Sequence, residues 1–349
     1  MNKPHIISIV GARPNFVKLA ALSPELRKVA KETIVHTGQH YDYELSKIFF
    51  DQMGIPEPDL HLGIVADTHG KQTGQMLMAI EALIDLRHPN AILVFGDTNS
   101  TLAGALAAAK MHVPIIHIEA GVRSYDKRMP EEINRIMVDH ISDMLFCPTA
   151  GAAHNAIFEG LSCGKIFECG DVMVDLLGIE PKKPLYFDYP PEYYLLTIHR
   201  EENDDIKKLK EIFKGLSRIS ADPIIFPCHP RIKKYIKALK LSKNIKVINP
   251  IGYFEMRYLE RNSLGIITDS GGVQKEAYLL GVPCITLRGN TEWVETLDGN
   301  WNVITNGNSD NIHKALGLIQ DKDKYHPEVF GKPGVCERIS KCIVEELNG

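Results

Sequence analysis

The chain has 349 residues, 40 Lys+Arg against 44 Asp+Glu for a formal net charge of −4, and 44% hydrophobic against 24% charged residues. At about 150 residues per domain this gives roughly two domains with apolar mass for two cores, which excludes disorder. The slightly acidic balance leaves no electrostatic footprint for nucleic acid or an anionic membrane, and no apolar stretch approaches the roughly 18–20 residues of a membrane span. An anionic ligand must therefore be held by a few placed groups. Only a short apolar run precedes Gly11, so neither secretion nor membrane insertion is expected. Seven cysteines without a C-x-x-C pair read as reduced cytosolic core thiols and not as zinc ligands.

In chain order, short β-branched runs alternate with helical stretches, the pattern of a doubly wound α/β protein with parallel strands. His5–Val10 reads as a strand and Asn15–Ala30 as the helix after it. Thr33–Thr37, Ala91–Phe95, Pro114–Ile118 and Met144–Cys147 read as further strands, with the Ala-rich helix Thr101–Met111 suited to close packing on a sheet. The rhythm pauses in the Pro-rich stretch Glu180–Pro191, and the hinge is expected between Gly170 and Pro191. It restarts with strands Tyr194–Thr197, Ile224–Phe226, Lys246–Ile248, Gly265–Thr268 and Cys284–Leu287. Two Rossmann-like domains in series are expected, residues 1–172 and 173–333, with ligands at the carboxyl ends of the strands. Sequence order alone leaves the final helix, Glu337–Leu347, free to join either domain.

The polar clusters fall at those strand ends. Gly11-Ala12-Arg13-Pro14-Asn15, Gly38-Gln39-His40, Gly96-Asp97-Thr98-Asn99 and Glu119-Ala120-Gly121 each follow a strand, so Arg13, Lys18, His40, Asp97 and Glu119 can converge on one crevice. Pro130-Glu131-Glu132 reads in two ways: as a Pro-started helix with acids in its first turn, or, with Asp97 and Glu119, as part of an acid/base set. In the second half, Thr268–Ala277 (TDSGGVQKEA) places a Ser and two glycines at a helix start, where exposed N–H groups bind phosphate without basic residues. Glu276, one to two turns in, can accept from a ribose diol. Two histidine loops, around His199-Arg200 and His229-Pro230-Arg231, complete the set; His–Arg beside a diphosphate would neutralise charge on a leaving group. No G-x-G-x-x-G, G-x-x-x-x-G-K-[ST] or H-E-x-x-H occurs, so nicotinamide cofactors, P-loop chemistry and a catalytic metal all lose support.

Together the strings GARPNFVK, TGQHYD, GDTNSTLAGALAA, HIEAGVRS, MPEEINR, TIHREEN and TDSGGVQKEA resemble the non-hydrolysing UDP-N-acetylglucosamine 2-epimerase family, in order and over most of the chain. The resemblance implies a glycosyltransferase-B-type architecture, a last helix (residues 334–349) crossing back to the first domain, a cytoplasmic homodimer, and neither metal nor redox cofactor. It implies inversion at C2 of a UDP-2-acetamido sugar, UDP leaving C1 to give a 2-acetamidoglucal and then adding back. By the same resemblance Asp97, Glu119 and Glu131 are the acid/base residues, with Asp97 and Glu131 moving the C2 proton, and His199 assists the leaving diphosphate. Arg13 and Lys18 supply positive charge to the sugar-phosphate region, Ser270, Gly271 and Gly272 cradle the diphosphate, Glu276 takes the ribose, and Arg135 orients Glu131 or the sugar. Gln39, His40 and His229 are further substrate-binding candidates that would also permit a regulatory UDP-sugar subsite. The chain departs from the commonest pattern at Arg288–Thr296, where Thr291-Glu292-Trp293-Val294-Glu295 replaces Thr-Glu-Arg-Pro-Glu. That variant resembles a branch with epimerases of UDP-2,3-diacetamido-2,3-dideoxyglucuronate. A second departure is Gly331-Lys332-Pro333-Gly334 in place of Gly-Asp-Gly. The rival readings are a UDP-sugar glycosyltransferase and a non-catalytic UDP-sugar sensor.

Overall fold

A computed structural model describes residues 3–39, 50, 53–65, 68–178, 189–200, 203–218, 222–319 and 326–349. The chain divides into two compact units, Met1–Ile179 with Glu328–Gly349, and Glu180–Pro327.

In the first unit the described residues form a parallel sheet of strands β1 (His5–Val10), β2 (Lys31–His36), β3 (Leu60–His61), β4 (Ala91–Phe95), β5 (Ile115–Ile118), β6 (Met144–Cys147) and β7 (Ile166–Glu168). Their spatial order is β3-β2-β1-β4-β5-β6-β7. Chain direction across the sheet reverses between β1 and β4, the point in such folds where loops splay apart and ligands bind. β4 is buried along its whole length, as a strand covered by helices on both faces must be. Helices α1 (Arg13–Val29), α2 (His69–Arg87), α3 (Asn99–Lys110), α4 (Pro130–Ile141), α5 (Ala150–Phe158) and α6 (Met173–Leu177) connect or flank these strands.

The small residues of α3 are explained by contact: a Cβ on Gly104 would meet Val94 Cγ1 at 3.1 Å and Ile9 Cγ1 at 3.2 Å, so glycine lets the helix rest directly on β1 and β4. The last helix, α12 (Val335–Asn348), lies in this unit, where Asp175 on α6 accepts from Gly334 N at 2.6 Å and Cys336 N at 2.8 Å. Two of that helix's first amide donors, which have no intrahelical partner, are thus satisfied from a distant segment.

The second unit repeats the plan with β8 (Tyr194–Thr197), β9 (Ile224–Pro227), β10 (Ile245–Ile248), β11 (Gly265–Thr268), β12 (Cys284–Thr286) and β13 (Asn302–Ile304), ordered β10-β9-β8-β11-β12-β13, all parallel. Its helices are α7 (Ile206–Leu216), α8 (Pro230–Lys233), α9 (Tyr253–Arg261), α10 (Gly271–Leu279) and α11 (Ser309–Leu318).

The strands expected from sequence are present with shifts of one or two residues at their ends. The expected Asn15–Ala30 and Thr101–Met111 helices are α1 and α3, each starting two residues earlier. β3, β7 and β13 were not anticipated; at two or three residues each, they are too short to show a period-2 pattern. Among the described residues no helix is long and apolar enough to cross a membrane.

Candidate functional site

The first constellation forms where the loops after β1, β2, β4 and β5 meet. Asn15, in the first turn of α1, joins two of them: its Oδ1 accepts from Gly11 N, Ala12 N and Thr98 Oγ1, while its Nδ2 donates to Phe95 O at 2.8 Å. Gly11 has no room for a side chain, since a Cβ would lie 2.1 Å from both Ser100 Oγ and Thr37 Oγ1. Gln39 closes the same corner, its Oε1 accepting from Ser100 N at 3.0 Å and Ser100 Oγ at 2.7 Å. Its amide oxygen is therefore engaged in holding the loop. His40 lies outside the described residues.

Glu119, at the end of β5, takes a left-handed conformation with φ 69°, and its Oε1 receives Lys18 Nζ at 2.6 Å, both side chains about one-tenth exposed. The loop that carries Asp97 passes over this pair: Gly96 has φ 61°, and a Cβ there would meet Lys18 Nζ at 2.7 Å. Asp97 is paired through Oδ2 with Arg135 Nη2 at 2.5 Å, and its backbone carbonyl accepts from Asn134 Nδ2 at 2.8 Å. Asp97, Glu119 and Lys18 thus come together, as expected of the loops after β1, β4 and β5, and Arg135 on α4 joins them through Asp97. Arg13 begins α1 nearby in sequence and is exposed.

Arg135 bridges Asp97 and the buried Glu132, whose Oε2 receives Arg135 Nη1 at 2.9 Å. On a helix only an i, i+3 or i, i+4 neighbour faces Arg135 on the N-terminal side, and Glu132 and Glu131 both qualify; burial selects Glu132. Burial pushes the Glu132 carboxyl upward, but hydrogen bonds from Ser124 N, Tyr125 N, Ser124 Oγ and Arg135 outweigh it and hold the group below the usual glutamate range. Lys18, the other cation expected near the sugar phosphate, is held by Glu119. Glu131 is half-buried and makes no hydrogen bond or ion pair among the described residues.

Behind these residues lies a network that sequence reasoning missed. His117, fully buried on β5, has Nδ1 2.7 Å from Asp139 Oδ1 and Nε2 2.8 Å from Gly96 O. Asp139 Oδ2 also accepts from Arg123 Nη1 at 2.7 Å and Gly121 N at 3.0 Å. Burial opposes the charge on Asp139, yet His117 and Arg123 depress its pKa. The network fixes the Asp97 and Glu119 loops from beneath. His117, Gly121 and Arg123 lie in the HIEAGVRS string, but Gly96 and Asp139 are about 20 residues away on either side, and the parallel register of β4 and β5 helps bring them together.

The second constellation belongs to the other unit. Ser270 caps α10, its Oγ accepting from Val273 N at 3.4 Å, and Gly271 and Gly272 form the first turn with their backbone amides at the helix start. Gly271 is pressed from one side: a Cβ would lie 2.0 Å from Glu292 Oε1, and Glu292 is held by Arg288 Nη1 at 2.7 Å with both side chains buried. Asp269, fully buried beside them, accepts from His199 N, Arg200 N and Asn203 Nδ2, and pairs with His199 Nδ1 at 3.2 Å. Burial would raise the Asp269 carboxyl; the His199 contacts and those of Asn203 and Arg200 N lower it. With Nδ1 on Asp269, Nε2 is the His199 nitrogen left for a ligand.

The His229 ring sits 6.0 Å from that of His199, and its Nδ1 caps α8 by accepting from Arg231 N at 3.3 Å. Arg231 in turn donates to His199 O at 3.0 Å. Glu276 is buried on α10 with Tyr253 Oη 3.3 Å from its Oε1. The Trp-containing departure at Thr291–Glu295 places Trp293 under the Lys275 ammonium, 4.4 Å from the ring centroid. Among the described residues no group of three or more His, Cys, Asp or Glu side chains could hold a metal.

The model of the family described as UDP-N-acetylglucosamine 2-epimerase matches residues 24–344. A UDP-N-acetylglucosamine 2-epimerase homolog of Methanococcus maripaludis is 49% identical over 97% of this chain and 99% of its own. The UDP-2,3-diacetamido-2,3-dideoxy-D-glucuronate 2-epimerase of Pseudomonas aeruginosa is 48% identical with the same coverage. Among solved structures, that of Methanocaldococcus jannaschii UDP-GlcNAc 2-epimerase in complex with UDP-GlcNAc and UDP is similar with a TM-score of 0.88 and 40% identity, over 99% of this chain and 100% of that one.

Proposed function

The chain belongs to the UDP-N-acetylglucosamine 2-epimerase family, and from that membership we propose that it is an isomerase inverting C2 of a UDP-2-acetamido sugar, UDP-N-acetylglucosamine to UDP-N-acetylmannosamine. The C2–H is not next to a carbonyl and is barely acidic. Loss of UDP from C1 gives the ring oxocarbenium character; a carboxylate then removes the C2 proton, forming the 2-acetamidoglucal. A second carboxyl group returns a proton to the opposite face as UDP adds back to C1.

The observation that carries this reading is the set of three carboxylates in three different surroundings: Asp97 on Arg135, Glu119 on Lys18, and Glu131 with no partner among the described residues. Two-face proton transfer needs an acid and a base of unequal proton affinity, and neighbours of different charge produce that inequality. Asp97 and Glu131 are the pair assigned to the C2 proton, and Arg13 adds positive charge near the sugar phosphate. The Ser270-Gly271-Gly272 helix start holds the diphosphate, His199 stabilises charge on the departing UDP, and Glu276 accepts the ribose hydroxyls.

A second reading, the UDP-2,3-diacetamido-2,3-dideoxyglucuronate as substrate, is favoured by the Thr291–Glu295 sequence and by the 48% identity to a relative of that name. Proton NMR in D₂O with each UDP-sugar and no added cofactor tests both. The manno epimer carrying deuterium at C2 supports the mechanism. Epimer formed without exchange of the C2 hydrogen refutes it, and transfer of the sugar to an acceptor without epimer supports a glycosyltransferase instead. A homodimer and a cytoplasmic location complete the proposal, the first checked by sedimentation equilibrium.

A further inference from the structure

Gly96, the buried residue before Asp97, is tied to β5 by both of its main-chain groups. Its N–H donates to Ile118 O at 2.9 Å, and its carbonyl oxygen lies 2.8 Å from His117 Nε2. Glu119 is the next residue along, so three consecutive positions, His117, Ile118 and Glu119, carry one candidate carboxylate and anchor the peptide that leads into another. Asp97 itself is held from α4, by Arg135 on its carboxylate and Asn134 on its carbonyl. His117 is fully buried, and its other ring nitrogen, Nδ1, lies 2.7 Å from Asp139 Oδ1.

Both partners of this ring can only accept. Gly96 O is a carbonyl. Asp139 is a carboxylate whose Oδ2 takes Arg123 Nη1 and Gly121 N; burial opposes its charge, but His117 and Arg123 lower its pKa. A neutral imidazole donates from one nitrogen only and would set the lone pair of the other against an oxygen less than 3 Å away. We propose that His117 donates from both ring nitrogens, as an imidazolium, and is a positioning residue that holds Asp97 through the Gly96 carbonyl. This rests on the reading of Asp97 as a proton-transfer residue. Charge balance leads to the same place. Arg123 is one cation between two acids, Asp139 and Glu159, the latter gripped through Nε and Nη2 at 2.8 Å each, and the second His117 proton brings the four groups to neutrality. Two further titratable groups border them: His140, 3.8 Å from Glu159 and partly exposed, and Cys147 on β6, whose thiol burial raises and keeps neutral. A hydrogen bond from a charged donor is shorter and stronger than one from a neutral ring, so the peptide before Asp97 is fixed more firmly than a glycine turn alone would fix it. Without it a buried carbonyl is left unsatisfied, and the turn that carries Asp97 relaxes away from the strand.

Two substitutions separate the two bonds, because a glutamine amide nitrogen reaches the place of the ring Nε2 and an asparagine amide nitrogen that of Nδ1. In His117→Gln the Gly96 contact survives, and kcat for the UDP-sugar that the wild type inverts is expected to stay within about threefold. In His117→Asn that contact is lost, and kcat is expected to fall at least about tenfold with KM changed less than about twofold, since the diphosphate is assigned to the other unit. Each variant gives up one of the ring's two bonds, so a structural role alone would lower the turnover of both together. Equal loss in the two, loss in glutamine alone, no loss in asparagine, or a fall carried by KM overturns the proposal. If either variant does not fold, nitrogen NMR of the full-length wild type with ring-labelled histidine decides, at the pH of the turnover assay. Two protonated nitrogens on His117, with a coupling from Nε2–H to the Gly96 carbonyl carbon, are expected; a ring with one protonated nitrogen overturns the proposal. Asp97→Asn separates the two levels: if it keeps wild-type turnover, the reading of Asp97 is at fault; if it abolishes turnover and His117→Asn does not lower it, only the role of His117 falls.

Discussion

Gly271→Ala probes how tightly the diphosphate loop is built. The new methyl would lie 2.0 Å from Glu292 Oε1, against the roughly 3.4 Å of an ordinary contact, so about 1.4 Å of displacement is required. Glu292 cannot swing aside freely, because Arg288 holds it at 2.7 Å and both side chains are at most 5% exposed. Overpacking of this kind costs about 1–3 kcal/mol. For a unit of this size each kcal/mol lowers Tm by about 2–4 °C, giving a fall of about 2–12 °C by scanning calorimetry. Gly272→Ala is the internal control: the nearest atom to its Cβ is Ser270 Oγ at 3.9 Å, and alanine in a helix turn is worth up to about 1 kcal/mol over glycine, so Tm should hold or rise. UDP affinity should fall in the Gly271 variant, because the displaced turn carries the amides assigned to phosphate. The clash also predicts coupling: in a Glu292→Ala background the cost of Gly271→Ala should shrink by at least about 1 kcal/mol. Strict additivity of the two substitutions would show that Glu292 is not what constrains the glycine, and the reasoning would fail.

Glu131→Gln should leave stability unchanged within about 0.5 kcal/mol, since the residue has no partner to lose among the described residues, while turnover followed by NMR falls at least a hundredfold; a stable variant with wild-type turnover removes Glu131 from the proton path. Arg135→Met leaves Asp97 and buried Glu132 without their shared cation and should cost about 3–5 kcal/mol by urea denaturation, against less than about 1 kcal/mol if the pair were a surface one. Asp139, Asp269 and Glu132 all have folded-state pKa values below their unfolded ones, so the stability they contribute is present above the unfolded values and lost as pH falls through the folded ones. Tm should therefore decline steeply below about pH 4, and a flat profile there contradicts the assigned ion pairs. Dialysis against EDTA should leave the turnover rate unchanged within about twofold, as expected where no metal chemistry is used; loss restored by a divalent ion would require a different mechanism.

The strands were readable because parallel strands buried on both faces are continuous β-branched runs, as in Ala91–Phe95 and Gly265–Thr268. The positions of Asp97, Glu119, Ser270 and Gly271 were readable because each follows a strand or begins a helix, the place where ligands bind in such folds. What stayed hidden were choices that sequence leaves degenerate. Glu131 and Glu132 are adjacent acids in one helical turn, and only burial shows that the second is the partner of Arg135. His117 sits inside an apolar run and resembles any strand histidine until Asp139 and Gly96 O are found on its two nitrogens. Glu260 lies in a helix rich in charges, Glu255, Arg257, Glu260 and Arg261, and nothing in their order says which of them faces inward.

The departures from regularity share one physical purpose, to keep like charges at one site in unlike states. An acidic chain that must use several carboxyl groups together can separate their proton affinities only through neighbours. In the first unit the separation is made with cations of graded engagement: Arg135 divided between Asp97 and Glu132, Lys18 given wholly to Glu119. In the second it is made with burial: Asp269 is sunk but surrounded by donors that lower its pKa, whereas Glu260 is sunk with none among the described residues and is pushed well above the usual range. On the proposed reading, helix-start amides supply the attraction for a diphosphate that the net charge of −4 does not, and they do so without adding a cation that would level the carboxylates. A lysine placed at Gly272 to strengthen phosphate binding would accordingly be expected to tighten UDP and slow product release.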